Sequence, residues 1–400
     1  MIPYGKQDIS EADIEAVVAV LRSDFLTQGP AVPSFEQAVA SYVGARHAIA
    51  MNSATSALHI ACLALGVGLG DYVWTTPITF VASSNCALYC GASVDFVDID
   101  PQTYNLSVED LATKLEIAER RGKLPKVVIP VHLCGQPCQM EAIHALSKRY
   151  GFHIIEDASH AIGARYLEQR IGCCQFSDIT IFSFHPVKII TTAEGGMALT
   201  QQDDLAEKMA LLRSHGITRD PELMTHVADG PWYYQQIELG FNYRMTDLQA
   251  ALGVSQMQRL DEFVSSRHQL ADRYDRELAG LPLITPWRDP AGYSSFHLYV
   301  IRLKLERIEL THRQVFEALR AFGIGVNLHY IPIHLQPYYR RLGFEPGMLP
   351  EAETYYREAI SLPLFAQLGE SEQSRVIDSL HHILNPASVK ASQCNQRTQS

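Results

Sequence analysis

Positive charge is in short supply: 33 lysines and arginines stand against 44 aspartates and glutamates, a formal net charge of −11. Such a chain repels phosphate backbones, so nucleic acid is not an expected partner, although one phosphate can still be held in a local site. Charge of either sign makes up only 19% of the 400 residues and apolar types 47%, ordinary for a folded enzyme of about two domains. No internal repeat and no Walker loop is present. "GVGLGDY" (66–72) spaces its glycines alternately but follows a helical pattern rather than a strand, so it marks a helix end and turn, not a dinucleotide loop. The N-terminus "MIPYGKQDISEADIEAVV" turns acidic at once, without the basic start and apolar run of a secretory signal. Ala48–Gly70 and Tyr72–Val94 carry no formal charge, but Asn, Ser, Thr and His recur in both and Pro77 lies in the second. They are expected as buried core, with no membrane partner. The eight cysteines lack paired zinc spacings; Cys86 and Cys90 lie one helical turn apart and fit core packing. Reduced thiols in a cytoplasmic protein are expected, with no metal.

From residue 47 to 200, short β-branched runs alternate with helical ones. Strands are expected at 47–51, 72–77, 93–100, 126–133, 153–158, 178–184 and 195–200. Ala57, Ile60, Ala61, Ala64 and Leu65 repeat at the spacing of one buried helix face. "SVEDLATKLEIAERRG" opens on the N-cap type Ser107 and closes on Gly122. Alternation of this kind gives a large α/β domain with a seven-stranded, mostly parallel sheet covered on both faces. Residues 202–216 read as a helix, a looped aromatic stretch follows, and a long helical region runs from near Thr246 to about Gly280. It leads to a smaller C-terminal α+β domain with a last helix near 370–384. The expected division is 1–265, 266–388 and a disordered tail over 389–400.

Four features carry chemistry. Lys188 is the lone charge in "FSFHPVKIITTA"; a desolvated lysine loses its proton more easily and becomes an amine nucleophile. Taken singly, a structural lysine paired with Glu194 is the commoner explanation. Asp157 closes a buried strand in "HIIEDASHA", where open α/β sheets place ligands; it could protonate a pyridine nitrogen or simply cap a helix. "NSATSAL" (52–58) sets small hydroxyl residues at a strand-to-helix junction, an arrangement that binds phosphate or merely caps. Ser183 could add a hydrogen bond there. Phe80, in a loop after a strand, could stack on a flat cofactor or pack in the core. Together they describe pyridoxal phosphate.

Over about residues 3 to 385 the chain resembles the fold-type I DegT/DnrJ/EryC1/StrS sugar aminotransferases. The resemblance is carried by "LTQGP", "NSATSALH", "TPITFVASSNCALYCGASVDFVDID", "IIEDASHAIGA", "FSFHPVKIITTAEGGM", "LGFNYRMTDLQAALG", "HYIPIH" and "EAISLPL". It implies pyridoxal 5'-phosphate held covalently by Lys188, with Asp157 on the ring nitrogen, Phe80 on the ring face and His160 near the ring oxygen. Ala54, Thr55 and Ser183 would hold the phosphate. Ala54 departs from the glycine of many members, which a negative φ would tolerate. Asn242 would reach the phosphate of a neighbouring subunit's cofactor, implying a homodimer with shared sites. Within the family, "SATSAL", "NCALYCGA" and "FHPVKIITTAEGG" most resemble the branch of pseudaminic acid biosynthesis. That branch implies glutamate as amino donor and C4 of a UDP-linked 4-keto-6-deoxy-L-sugar as acceptor. The 4-amino-arabinose branch of lipid A modification is the alternative. Sugar-nucleotide contacts would fall to Tyr4, to Asp24, Phe25, Leu26 and Thr27, and to Asn327, Leu328, His329 and Tyr330. His185, Pro186 and Glu194 receive no role. A dehydratase built on this fold would carry histidine in place of Lys188.

Overall fold

The computed structural model describes residues 1–385; Cys394 and the tail expected over 389–400 lie outside the described residues. Seven strands form the main sheet: β1 His47–Met51, β2 Tyr72–Thr75, β3 Ser93–Phe96, β4 Val127–Ile129, β5 His153–Asp157, β6 Ile179–Ser183 and β7 Gly196–Thr200. Their spatial order is β1-β7-β6-β5-β4-β2-β3. Only β7 opposes its neighbours; it is antiparallel to both β1 and β6, while the other pairings are parallel. The strands are those expected, with several ends trimmed where the chain leaves the ladder.

Every residue of β4, β6 and β7 is buried, the pattern of strands covered on both faces. Successive side chains feed two separate layers. Val128, Ile154 and Phe182 pack with Phe35 and Val39 of α2 (Ala31–Val43), Leu111 and Leu115 of α5 (Val108–Arg121) and Ile143 of α6 (Met140–Tyr150). Val127, Ile129, Ile155 and Ile181 pack with Leu58 of α3 (Ala54–Ala64), Cys86 of α4 (Ala82–Tyr89) and Met209 of α7 (Asp203–Arg213). The uncharged stretches 48–70 and 72–94 are thus β1–α3 and β2–α4, wrapped around this core. No described helix is long and apolar enough to cross a membrane. The seven described cysteines are all free.

Local signals act as expected at several ends. Ser107 caps α5, accepting from Asp110 N, and Gly122 closes it with φ 63°, a left-handed turn that glycine adopts without steric cost. One expected region holds more than one element. The region from Thr246 to Gly280 is two helices, α8 Asp247–Met257 and α9 Leu260–Glu277. The chain leaves helical geometry at Arg259, φ −109°, whose guanidinium ties to Asp8 at 3.1 Å and Asp13 at 2.8 Å. No Gly or Pro marks that break.

The first half of α9 (Leu260, Phe263, Val264) packs into the main core, and Ala271 and Tyr274 into a second core. That second core covers an antiparallel sheet of Leu283–Ile284, Tyr299–Leu303 and Ala359–Leu362. The helices His312–Ala321 and Glu370–Leu384 pack over it through Val315 and Leu380. The C-terminal part is therefore α+β, as expected.

Candidate active site

The reversal of β7 sets the geometry of the site. Gly196, its first residue, pairs with both Met51, the last of β1, and Ser183, the last of β6. Two strand ends and the start of α3 therefore meet at one level. A Cβ on Gly196 would lie 2.3 Å from the Ala54 nitrogen, so only glycine lets the strand approach the helix this closely.

Ser53 caps α3, its hydroxyl accepting from Ser56 N at 3.1 Å, while Ala57 N bonds the Ser53 carbonyl. The N–H groups of Ala54 and Thr55 bond nothing among the described residues. Free N–H groups at a helix start suit an anion. Ala54 is ordinary helix without positive φ, so its methyl is tolerated. Ser183 is buried beside this cup.

Between β6 and β7 the chain makes a loop closed at its root by Phe184 N to Gly195 O and Thr192 N to Phe184 O, both 2.9 Å. Lys188 projects from it into a cleft of about 460 Å³. Among the described residues its Nζ has no hydrogen-bond or ion-pair partner; in particular, none joins it to Glu194. Burial holds its ammonium down to about 8, against the pull of Asp157. An amine in this state carries a usable lone pair near neutral pH.

Asp157 ends β5 and is only 4% exposed. Ser83 Oγ donates to its Oδ2 at 2.6 Å, and Ser159 donates to its Oδ1 from both Oγ (2.6 Å) and N (3.1 Å). Three donors fix the carboxylate plane toward the cleft. Phe80 lies at the mouth, 59% exposed, its ring 6.4 Å from Tyr330.

The opposite wall combines His160, three residues beyond β5, with His329 and Tyr330 of the C-terminal part. Buried His160 accepts from Cys134 N through Nδ1 (3.2 Å), so its Nε2 carries the hydrogen facing Tyr330 OH (3.2 Å). His329 Nε2 accepts from Asn327 Nδ2 (3.4 Å), leaving Nδ1–H for Ser361 Oγ (2.8 Å). Burial, aided by the nearby Lys188 charge, pushes His329 down to about 4 and His160 well below its ordinary value. Both are neutral rings at working pH.

Of the expected site residues, Lys188, Asp157, His160, Phe80, Ala54, Thr55, Ser183, Tyr4, His329 and Tyr330 line one cleft. Asn327 and Leu328 stand behind it, the first against His329, the second packed on the cluster around Ile78. Asn242 and Asp24–Thr27 are exposed and do not reach the cleft of their own chain. Ser83, Ser159 and His297 were not foreseen. Ser159 sits two residues from Asp157, and a hydroxyl at that spacing could have signalled a turn onto the carboxylate. A larger groove of about 630 Å³ near Arg165, Glu168 and Asp261 is lined by exposed charges already solvated.

The residues present fit pyridoxal phosphate. There is an unpartnered amine, a carboxylate held by three donors, an anion cup kept open by Gly196, and an aromatic at the rim.

Comparison with known proteins gives the same answer. The model of the DegT/DnrJ/EryC1/StrS aminotransferase family matches residues 7–381. The chain is 37% identical over 396 residues to UDP-4-amino-4,6-dideoxy-N-acetyl-beta-L-altrosamine transaminase of Campylobacter jejuni, covering 98% of this chain and 100% of that one. Helicobacter pylori PseC, an aminotransferase involved in the biosynthesis of pseudoaminic acid, superposes with a TM-score of 0.87. It is 31% identical over 96% of this chain and 99% of its own. The sugar aminotransferase Spr1654 of Streptococcus pneumoniae, solved in its PLP form, gives a TM-score of 0.86 at 30% identity, covering 96% of this chain and 99% of that one.

Proposed function

Because this chain belongs to the DegT/DnrJ/EryC1/StrS aminotransferase family, whose enzymes work with pyridoxal phosphate, we propose that it moves the amino group of L-glutamate to C4 of a UDP-linked 4-keto-6-deoxy-L-hexose, UDP-2-acetamido-2,6-dideoxy-beta-L-arabino-hex-4-ulose. The observation that carries transamination is the Lys188 amine, unpartnered and held down to about 8, facing Asp157 across one cleft. The choice of sugar rests on the likeness to the Campylobacter and Helicobacter enzymes.

When bound, the cofactor supplies an aldehyde for amine exchange and an electron-withdrawing ring. Lys188 Nζ would hold the cofactor and, once released, would be the group that moves the proton at the substrate carbon. Asp157 keeps a proton on the ring nitrogen, its oxygens oriented by Ser83 and Ser159. The N–H groups of Ala54 and Thr55, with Ser183, bind the phosphate. Phe80 covers the ring face, and His160 stands near the ring oxygen. Tyr4, His329 and Tyr330 wall the sugar side and exclude water, with Asn327 and Leu328 holding that wall from behind.

A homodimer completes the site in this reading: Asn242 and Asp24–Thr27, exposed on their own chain, reach the partner's phosphate and sugar nucleotide. Cytoplasmic residence is supported by the seven described cysteines, all of them free thiols. Purified protein should absorb in the visible, and glutamate should bleach the band. A spectrum blind to glutamate overturns transamination. Across a panel of UDP-4-keto sugars, the 6-deoxy-L-hexose should be aminated fastest; preference for the 4-keto pentose would reassign the substrate.

A further inference from the structure

His297 is held rigidly and yet used by nothing. Behind it, buried Arg267 spends one terminal nitrogen on the carbonyls of Phe296 (3.1 Å), His297 (3.1 Å) and Leu364 (2.9 Å). In front, its ring lies 4.3 Å from that of His160, whose carbonyl is gripped by Ser295 Oγ at 2.8 Å. Its imidazole lines the cleft with Lys188 and is 4% exposed.

Neither ring nitrogen of His297 has a hydrogen-bond partner among the described residues. Among the described buried side-chain nitrogens and oxygens left without a partner, only His297 Nδ1 belongs to a cleft-lining residue. Leaving such a group unpaired is costly, so an orphan nitrogen in a rigid setting points to a partner that comes and goes. The other two histidines of the wall cannot serve, since both nitrogens of His160 and of His329 are engaged. Lys188 Nζ is the matching uncommitted donor in the same cleft. The groups around the imidazole are Lys188, His160, Arg267 and His329, none of them anionic; they and burial keep it neutral, hence an acceptor. The carboxylate of Asp157 is already filled by Ser83 and Ser159.

We propose that His297 is a positioning residue that receives the Lys188 amine released during turnover, accepting a hydrogen bond from Nζ while the cofactor stays in the cleft with the amino group it has taken up. This rests on Lys188 being the cofactor lysine of the function proposed above. A flexible four-carbon chain set free in a cleft needs a defined resting place if it is to carry a proton to one carbon and not another.

The test uses the full-length chain loaded with pyridoxamine phosphate, the state in which Lys188 is free. Labelling of Lys188 by a small acylating reagent, read by peptide mass spectrometry against pH, gives the midpoint of its titration. Loss of the acceptor in His297→Leu should lower the midpoint by about one pH unit, because the ammonium loses a hydrogen bond. His297→Asn, which keeps an acceptor, should stay near the wild type. A midpoint unmoved or raised in His297→Leu overturns the proposal, and so does His297→Asn behaving like the leucine variant. If the leucine variant does not fold, His297→Met carries the same expectation. Borohydride reduction of the pyridoxal phosphate-loaded chain should mark Lys188 in every variant; if Lys188 is unmarked in the wild type, the failure lies in the function proposed above, not in the role of His297.

Discussion

A half-buried, desolvated lysine without a partner should weaken the fold it serves, and Lys188→Met measures by how much. The drop from 10.5 to about 8 corresponds to about 3 kcal/mol, at about 1.4 kcal/mol per unit. The sign follows from proton counting. Near pH 7 the lysine is charged in both folded and unfolded chains, and the folded chain bears the full cost. Between about 8 and 10.5 the folded state sheds the proton first, the unfolded state binds more protons, and stability rises with pH. Above that window both states are neutral and the cost is gone. Methionine has similar reach and no charge. Urea unfolding of the cofactor-free chain should therefore show the variant more stable near pH 7 by about 2–3 kcal/mol at an unchanged m-value. The gap should close as pH passes about 10.5. No gain near pH 7, or a gap constant across the window, would refute the reasoning that desolvation makes this amine reactive.

Two further outcomes follow from the same geometry. Ser83→Ala removes the 2.6 Å donor from Asp157 Oδ2 and should weaken pyridoxal phosphate binding about tenfold in equilibrium dialysis; an unchanged dissociation constant would mean that Ser159 alone orients the carboxylate. Gly196→Ala drives a methyl against the Ala54 nitrogen and should cost about 1–3 kcal/mol in urea unfolding. Wild-type stability in that variant would show that β7 and α3 can separate freely.

What could be read from the residues was local. Lys188 stood out as the one charge in an apolar run, Asp157 as an acid closing a strand, and residues 52–58 as a helix start. Each is legible because its meaning depends on a few neighbours. Ser83 was not, since its partner lies 74 positions away and a serine early in a helix has many ordinary uses. His297 reads as one more residue of a strand approach; only the fold reveals that its nitrogens are idle. The break at Arg259 was hidden for a similar reason, because distant aspartates hold that turn and no local breaker does. The loops Asp24–Thr27 and Asn242 carry family signatures whose sense lies outside a single chain's own cleft.

The loop that bears Lys188 leaves the sheet at Phe184 and returns beside it at Gly195. Closing a loop of roughly a dozen residues costs little entropy, and the cost grows only slowly with length. The amine is therefore delivered by a piece of chain that completes itself, resting on the sheet that also supplies Asp157 and the helix cup. His297 and Tyr330 come from more than a hundred positions further along and belong to the part with its own apolar core. The cleft has a self-sufficient floor and a borrowed roof. Damage to the C-terminal part should thus leave a protein that still captures its cofactor but no longer keeps water from it.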